Sequence, residues 1–290
     1  MAWVNAIIQG VLIGGLYALF ACGLSLMFGV MKVVNLAHGD LAVVAGYLAI
    51  GVIAVIHIPV LWSFVIVVPL MALLGYVLQR TILQGALDRS ILTTLMVTFG
   101  LSVVIENGLL QFFTANSRAI GTGLALVTGS FTIGSQIQIG YLPLTIFAVA
   151  VVVLLGLQYF LSRSRYGRLI RAVADDKEAA QLAGADYRHV FGIAAAIAFG
   201  TVALAGIAYG MYSQLSPTTG TDTILLFAFA AVVIGGLGSL WGTLLGGVVL
   251  GVAQGIGAQI HSSAVLAGFI VFLAVLALRP QGLISRGAPS

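Results

Sequence analysis

Apolar residues fill long uninterrupted windows of this chain, and polar residues collect in the gaps between them. Residues 141–161 and 190–212 contain no charge at all. A helix needs about 20 mostly apolar residues to cross a bilayer. Residues 5–30, 41–56, 60–78 and 90–113 read the same way, the last with a single glutamate. The C-terminal third continues as 223–237, 240–258 and 264–278, which are shorter and rich in glycine. These last three either span or re-enter. The windows are apolar all round rather than alternating, which excludes a β-barrel. The pattern therefore predicts an all-α fold: a polytopic transmembrane helical bundle of about eight to nine spans. No β domain is expected, and 1–290 reads as one transmembrane domain.

Composition sharpens the class. Of 290 residues, 61% are apolar and only 7% charged, against about 25% charged in soluble domains. An ordinary cytosolic enzyme and a disordered chain are excluded. So is a nucleic-acid binder, because 12 Lys and Arg against 8 Asp and Glu make no basic face. The first window has no basic n-region and its apolar run continues past any small-residue cleavage point, so it reads as a span rather than a signal peptide. The one cysteine, Cys22, lies inside that span. Histidines are scattered singly, so no metal site is expected.

Basic residues orient the chain. Arg163, Arg165, Arg168, Arg171, Lys177 and Arg188 crowd one interval between two clean spans, Arg80 and Arg89 bracket a short loop, and Arg279 and Arg286 close the sequence. The positive-inside rule sends all three regions to the cytoplasm. An even number of spans separates them, so the assignments agree. Residues 114–140, with Arg118 as their one charge, then form an external loop. The C-terminus is expected inside and the N-terminus outside. Glycines recur every four residues at Gly238, Gly242 and Gly246, and at Gly247, Gly251 and Gly255; Gly10 with Gly14 and Gly206 with Gly210 repeat the spacing. Small residues on one stripe let helix backbones approach closely in lipid. The alternative is that they thin the walls of a pathway or permit sliding between states.

Residues 162–189, SRSRYGRLIRAVADDKEAAQLAGADYRH, are too polar to span. Asp175 with Glu178 three residues on suggests a capping-box start. The alanines and leucine that follow favour helix, and Gly184 suits a left-handed stop. A short surface helix over 176–183 is expected, flanked by basic turns. It is either a solvated loop whose arginines touch anionic lipid, or a docking element for a soluble partner.

Glu178-Ala179-Ala180 followed by Gly184 is similar to the cytoplasmic E-A-A loop of ABC importer permeases; Ile193 stands about where that motif's isoleucine falls, and no Leu-Pro follows. The longer stretch RSRYGRLIRAVADDKEAAQLAGAD resembles the branched-chain amino acid (LivH-like) permease family. So do GGLYALFACGLSLMFGVMKVVNLAHGD, GGLGSLWGTLLGG and RPQGL, in the same order along nearly the whole chain. The resemblance implies a permease domain in a bacterial inner membrane that moves branched-chain or related amino acids by alternating access, with urea and short amides as a further substrate set. It implies a coupling role for Arg171, Asp175, Asp176, Glu178, Ala179, Ala180 and Gly184 against ABC ATPase subunits. A second permease chain, similar or identical, and an external substrate-binding protein complete the assembly.

A P-loop needs a lysine after glycine, and neither Lys32 nor Lys177 follows one. The chain is therefore expected to bind no cofactor itself and not to be an enzyme, with ATP and Mg held by its partner subunits. A self-sufficient ion-coupled secondary transporter is the competing reading; it calls for deep acids, and these are few. An intramembrane enzyme needs a nucleophile–base or metal constellation, and none is legible.

Polar residues in apolar surroundings mark candidate pathway positions, because a charge near a helix centre costs about 2.5–3.5 kcal/mol on insertion scales. Asn35, His38 and Asp40 interrupt the first two spans. They are either a surface turn or an inward dip, in which case His38 and Asp40 would pair and Asn35 would satisfy a broken helix. Glu106 falls roughly 24 Å from the inner end of its span, and Asp222 is expected at an outer boundary. Each is either a solvated or loop-paired acid near the outer boundary or a ligand for a substrate ammonium. His57 and His261 read as external turn residues.

Overall fold

The computed structural model describes residues 2–133, 137–261 and 263–284. Helix α1 (Ala2–Met31) has 30 residues, about 45 Å at 1.5 Å per residue, and overshoots a hydrocarbon core of about 30 Å. The chain turns back at Lys32 (φ 58°) and returns without helix to α2 (His38–Ile56). Helix α3 (Val60–Leu78) runs through a π-helical turn, Gln79–Leu83, into α4 (Gln84–Leu87), making one apolar rod, Val60–Leu87. Ser90 then caps α5 (Ile91–Phe113) by accepting from the Thr93 N–H at 3.0 Å.

Past α5 come a short helix, α6 (Ala125–Thr128), and an antiparallel hairpin, β1 (Ser130–Ile133) with β2 (Ile137–Gly140). The second half holds α7 (Tyr141–Arg163), α8 (Arg165–Asp175), α9 (Lys177–Leu182) and α10 (Tyr187–Tyr212). A second π-helical turn, Gly220–Ile224, leads into α11 (Leu225–Gly235), followed by α12 (Leu240–His261) and α13 (Ala264–Leu278). Among the described residues, seven helices are long and apolar enough to cross a membrane, and Gly220–Gly235 and Ala264–Leu278 are shorter apolar helices. The chain is an all-α, multi-pass bundle, as its hydrophobic pattern predicts; the hairpin is its one β element among the described residues.

Helices α1 and α10 form the centre, apolar all round and largely enclosed, while α5 and α13 line the periphery. The closest interface is α1 on α12. A Cβ on Gly10 would meet the Gly251 carbonyl oxygen at 2.6 Å, one on Gly14 the Val248 Cα at 2.6 Å, and one on Gly255 the Ala6 oxygen at 2.5 Å. Gly242 and Gly246 face α11 instead, against Gly235 and Ala231. Gly238 departs from the expected stripe. It lies before α12, in a turn with φ +81° laid against Gly29, because the chain must reverse there between α11 and α12. Gly246→Leu is expected to lower the melting temperature of the detergent-solubilised protein, since overpacking a rigid contact costs about 1–3 kcal/mol. An unaltered melting profile would contradict the packing role.

The basic regions gather at one end of the bundle. Arg80 lies 3.7 Å from Asp186, and Arg188 lies 3.2 Å from Asp88. The chain beyond Arg279 folds against the α11 end, with the Leu283 N–H donating to Ile234 O at 2.8 Å. At the opposite end His57 is exposed with φ 55° at the stop of α2, a turn residue as its sequence suggests. His261 closes α12, while Ser262 and Arg286 lie outside the described residues.

Candidate functional site

Two helices begin halfway through the bundle. His38, the first residue of α2, places Nε2 3.0 Å from the Phe20 carbonyl oxygen, near the midpoint of α1. Asn35 satisfies the broken end: its Oδ1 accepts from the Ala37 N–H at 3.0 Å, and its carbonyl accepts from His38 N–H at 3.2 Å. The segment dips inward into the bundle rather than forming a surface turn. His38 and Asp40 do not pair, however. Two residues apart on one helix they point away from each other, His38 to α1 and Asp40 to α5.

Asp40 is fully buried in the first turn of α2. Its carboxylate accepts from the Ser102 hydroxyl of α5 and, at 3.0 Å, from Thr221 in the second π-helical turn. Thr221 Oγ1 also lies 3.5 Å from Glu106 Oε2, and Glu106 and Asp222 are both within electrostatic reach of Asp40. Asp222 is therefore not at the outer boundary. After α10 the chain re-enters the bundle through Leu215, whose N–H and carbonyl pair with the Arg118 backbone at 2.8 Å, and delivers the Gly220–Ile224 turn to the start of α2. Gly220 packs directly on Asp40 and Gly39 on Gly220, leaving no space for a Cβ at either. The positive ends of two helices thus meet around acids, the arrangement that stabilises negative charge at a helix start.

Helix α5 carries the partners at four-residue spacing. Thr94, Thr98 and Ser102 are buried on its inner face, and Glu106, half-buried, continues the stripe. Opposite Thr94 and Thr98, Asn35 and Gln79 enclose a small void of about 10 Å³. Both amide atoms of Gln79 lack a hydrogen-bond partner among the described residues. Polar groups therefore run from Glu106 inward to the first π-helical turn. Sequence reading missed Ser102, Thr221 and Gln79; the Thr94–Thr98–Ser102–Glu106 interval was its available signal.

At the basic end the polar stretch folds as two helices rather than one helix between turns. Ser164 caps α8 by accepting from Gly167 N–H at 2.8 Å. That helix runs through Asp175, so Asp176, not Asp175, caps α9: its extended backbone (φ −146°) aims Oδ1 at the N–H groups of Glu178 (2.9 Å) and Ala179 (3.0 Å). Gly184, at φ +87°, ends α9 as its position suggests. Its N–H donates to Gln181 O and that of Ala185 to Ala180 O, both at 2.9 Å, the paired bonds of a Schellman stop. Ala180 faces the bundle, whereas Glu178, Ala179 and Leu182 face out, Leu182 with 91% of its surface exposed.

Asp88, unremarked in the sequence, joins α9 to the spans. It takes hydrogen bonds from Gln84 (3.0 Å), Tyr187 (3.1 Å) and Arg188 (3.2 Å), and Lys177 lies 3.8 Å away. Lys177 also sits over the Tyr187 ring, 4.3 Å from its centroid. Arg171 is not on the outward face of α8 and α9. It is half-buried and turned into a crevice between α1, α7 and the Gly238 turn.

Residues 6–278 match the model of a family described as branched-chain amino acid transport system / permease component. Among curated proteins, the chain is 30% identical to the high-affinity branched-chain amino acid transport system permease protein BraD of Pseudomonas aeruginosa, over 98% of this chain and 96% of that protein. It is 28% identical to the corresponding permease protein LivH of Salmonella typhimurium, over 96% and 94% of the two chains. It is also 26% identical to the ribose import permease protein RbsC of Escherichia coli, over 89% of this chain and 81% of that one.

Proposed function

The chain belongs to the family of branched-chain amino acid transport system permease components, and from that premise we propose that it is the membrane subunit of an ATP-binding cassette importer. It carries branched-chain amino acids inward across a plasma membrane by alternating access. ATP and Mg are bound by separate ATPase subunits, and a second permease chain packs beside this one. An external protein delivers the substrate at the end that carries residues 114–140. The basic end and the C-terminus face the cytoplasm, and the N-terminus faces out.

The observation that carries this reading is Leu182. A large apolar side chain held 91% exposed on a doubly capped helix has no role in the chain's own core and suits a groove on a partner. ATP-driven closure of the ATPase subunits would press on α9. Lys177, Asp88 and Arg188 would pass the displacement to α5 and α10, and the discontinuous ends of α2 and α11 would shift against each other. Glu106 and Asp222, the two acids of the central cluster left open to the outside of this chain, are the groups proposed to meet the substrate's ammonium. The ribose permease among the relatives is consistent with side chains at this cluster, rather than the fold, selecting the solute.

Reconstitution tests the reading. Proteoliposomes holding this chain with its ATPase subunits and binding protein should accumulate labelled leucine only with ATP on the basic side. Accumulation by the chain alone on an ion gradient would overturn it. Because Cys22 is buried, a cysteine placed at Glu178 reports orientation cleanly. A membrane-impermeant maleimide should react with it in inverted vesicles and not in intact cells; reaction from outside would overturn the topology.

A further inference from the structure

We propose that the crevice holding Arg171 binds the phosphate of an anionic phospholipid headgroup. The cavity, about 150 Å³, is walled by α1, α7, α8 and the turn before α12, and its polar lining is Ser25, Gln158, Arg171 and Ser239, with Trp241 at its side. Three observations point to a ligand.

Ser25 lines this space, and its hydroxyl, fully buried, has no hydrogen-bond partner among the described residues. Buried hydroxyls are nearly always paired, so this one is placed for something that enters the cavity. Arg171 has five N–H donors, of which one makes a long 3.4 Å bond to the Ser162 carbonyl. No carboxylate stands at ion-pair distance from it among the described residues. A guanidinium turned into a polar crevice without an acid calls for an anion, and its planar fork matches phosphate oxygens.

The surroundings identify the source as lipid. Trp241 (40% exposed), Tyr159 (70%) and Tyr166 (50%) stand around this end on α12, α7 and α8, and such rings mark the headgroup level of a bilayer. Helix α8 buries Ile170 and Val173 against the bundle and turns Arg165 and Arg168 outward, as a helix lying along a membrane surface does. Basic pockets between membrane helices at that level take lipid headgroups. The Gly238 turn makes the site possible: its left-handed backbone brings Ser239 and Trp241 beside α1 with Gly238 laid on Gly29. The site needs the basic end at a membrane surface and is independent of the solute carried.

The test uses the full transporter complex in detergent, with phosphatidylglycerol, phosphatidylcholine or inorganic phosphate added. Native mass spectrometry should show retained phosphatidylglycerol and little phosphatidylcholine. Arg171→Gln should reduce retention about fivefold, the loss for one basic group at an anionic surface. Ser25→Ala should reduce it two- to tenfold, the worth of one hydrogen bond. Arg165→Gln, on the outer face of the same helix, should change it less than twofold. Equal losses in the Arg165 and Arg171 variants would overturn the site in favour of diffuse surface charge. Thermal stabilisation by inorganic phosphate equal to that by phosphatidylglycerol would overturn the lipid assignment in favour of a free anion. Unchanged lipid retention with lost ATPase association in Arg171→Gln would overturn it in favour of a protein partner. Should Arg171→Gln fail to fold, Ser25→Ala decides alone, and full retention in that variant overturns the proposal.

Discussion

Leu182→Asp should abolish ATP-driven uptake while leaving the protein inserted and folded. The side chain makes no core contact to lose, because it is 91% exposed, and surface changes of this kind usually alter stability by less than about 0.5 kcal/mol. Its value lies in a docked state. Buried apolar anchors at interfaces contribute about 2 kcal/mol or more each, and a carboxylate in the same groove adds a desolvation penalty. Together these weaken association with an ATPase subunit by well over an order of magnitude. Co-purification of the ATPase subunits and leucine uptake should fall together, while detergent melting stays unchanged. Gly184→Val should act in the same direction with smaller effect, since a β-branched residue at φ +87° strains the stop of α9 without removing its knob. Wild-type uptake in Leu182→Asp would sink the docking role.

Asp40→Ala is expected to reduce uptake more than tenfold for a different reason. The Asp40 carboxylate ties α2, α5 and the Gly220–Ile224 turn together through Ser102 and Thr221. Removing it takes the carboxylate acceptor from the buried Ser102 hydroxyl, at a cost of order 1–3 kcal/mol, leaves Thr221 only its longer contacts to Glu106 and Ser102, and frees the two helix ends from each other. Asp40→Asn keeps the shape and one acceptor, so it should retain more of the melting temperature than the alanine variant. Glu106→Gln leaves that junction intact. Its expected effect is a raised KM for leucine with little change in melting. If Asp40→Ala transports normally, the mid-bundle junction has no part in transport.

The residues that sequence reading found and those it missed differ in kind. Both amphipathic caps of α9 were nearly legible, because Asp176 and Gly184 act on groups within four residues of themselves. The slip from Asp175 to Asp176 came from α8, whose length depends on Ile170 and Val173 packing against α1 and α10. Asp88 was invisible because its partners Lys177, Tyr187 and Arg188 lie about a hundred positions away in sequence. Asp222 was placed at a boundary because nothing local shows that residues 213–219 fold back into the bundle.

Sequence by itself determined the apolar helices, the small-residue stripes on them, the short polar helix and the family. A bilayer forces each spanning segment to satisfy its own backbone, so apolar length and charge placement are local information. Only the tertiary structure decided that α2 and α11 start inside the bundle, that Asp40 pairs with α5 rather than with His38, and that Arg171 turns inward. Those outcomes depend on which distant carbonyl, hydroxyl or cavity each polar group meets once the helices pack, and a buried polar group takes the partner that packing brings to it.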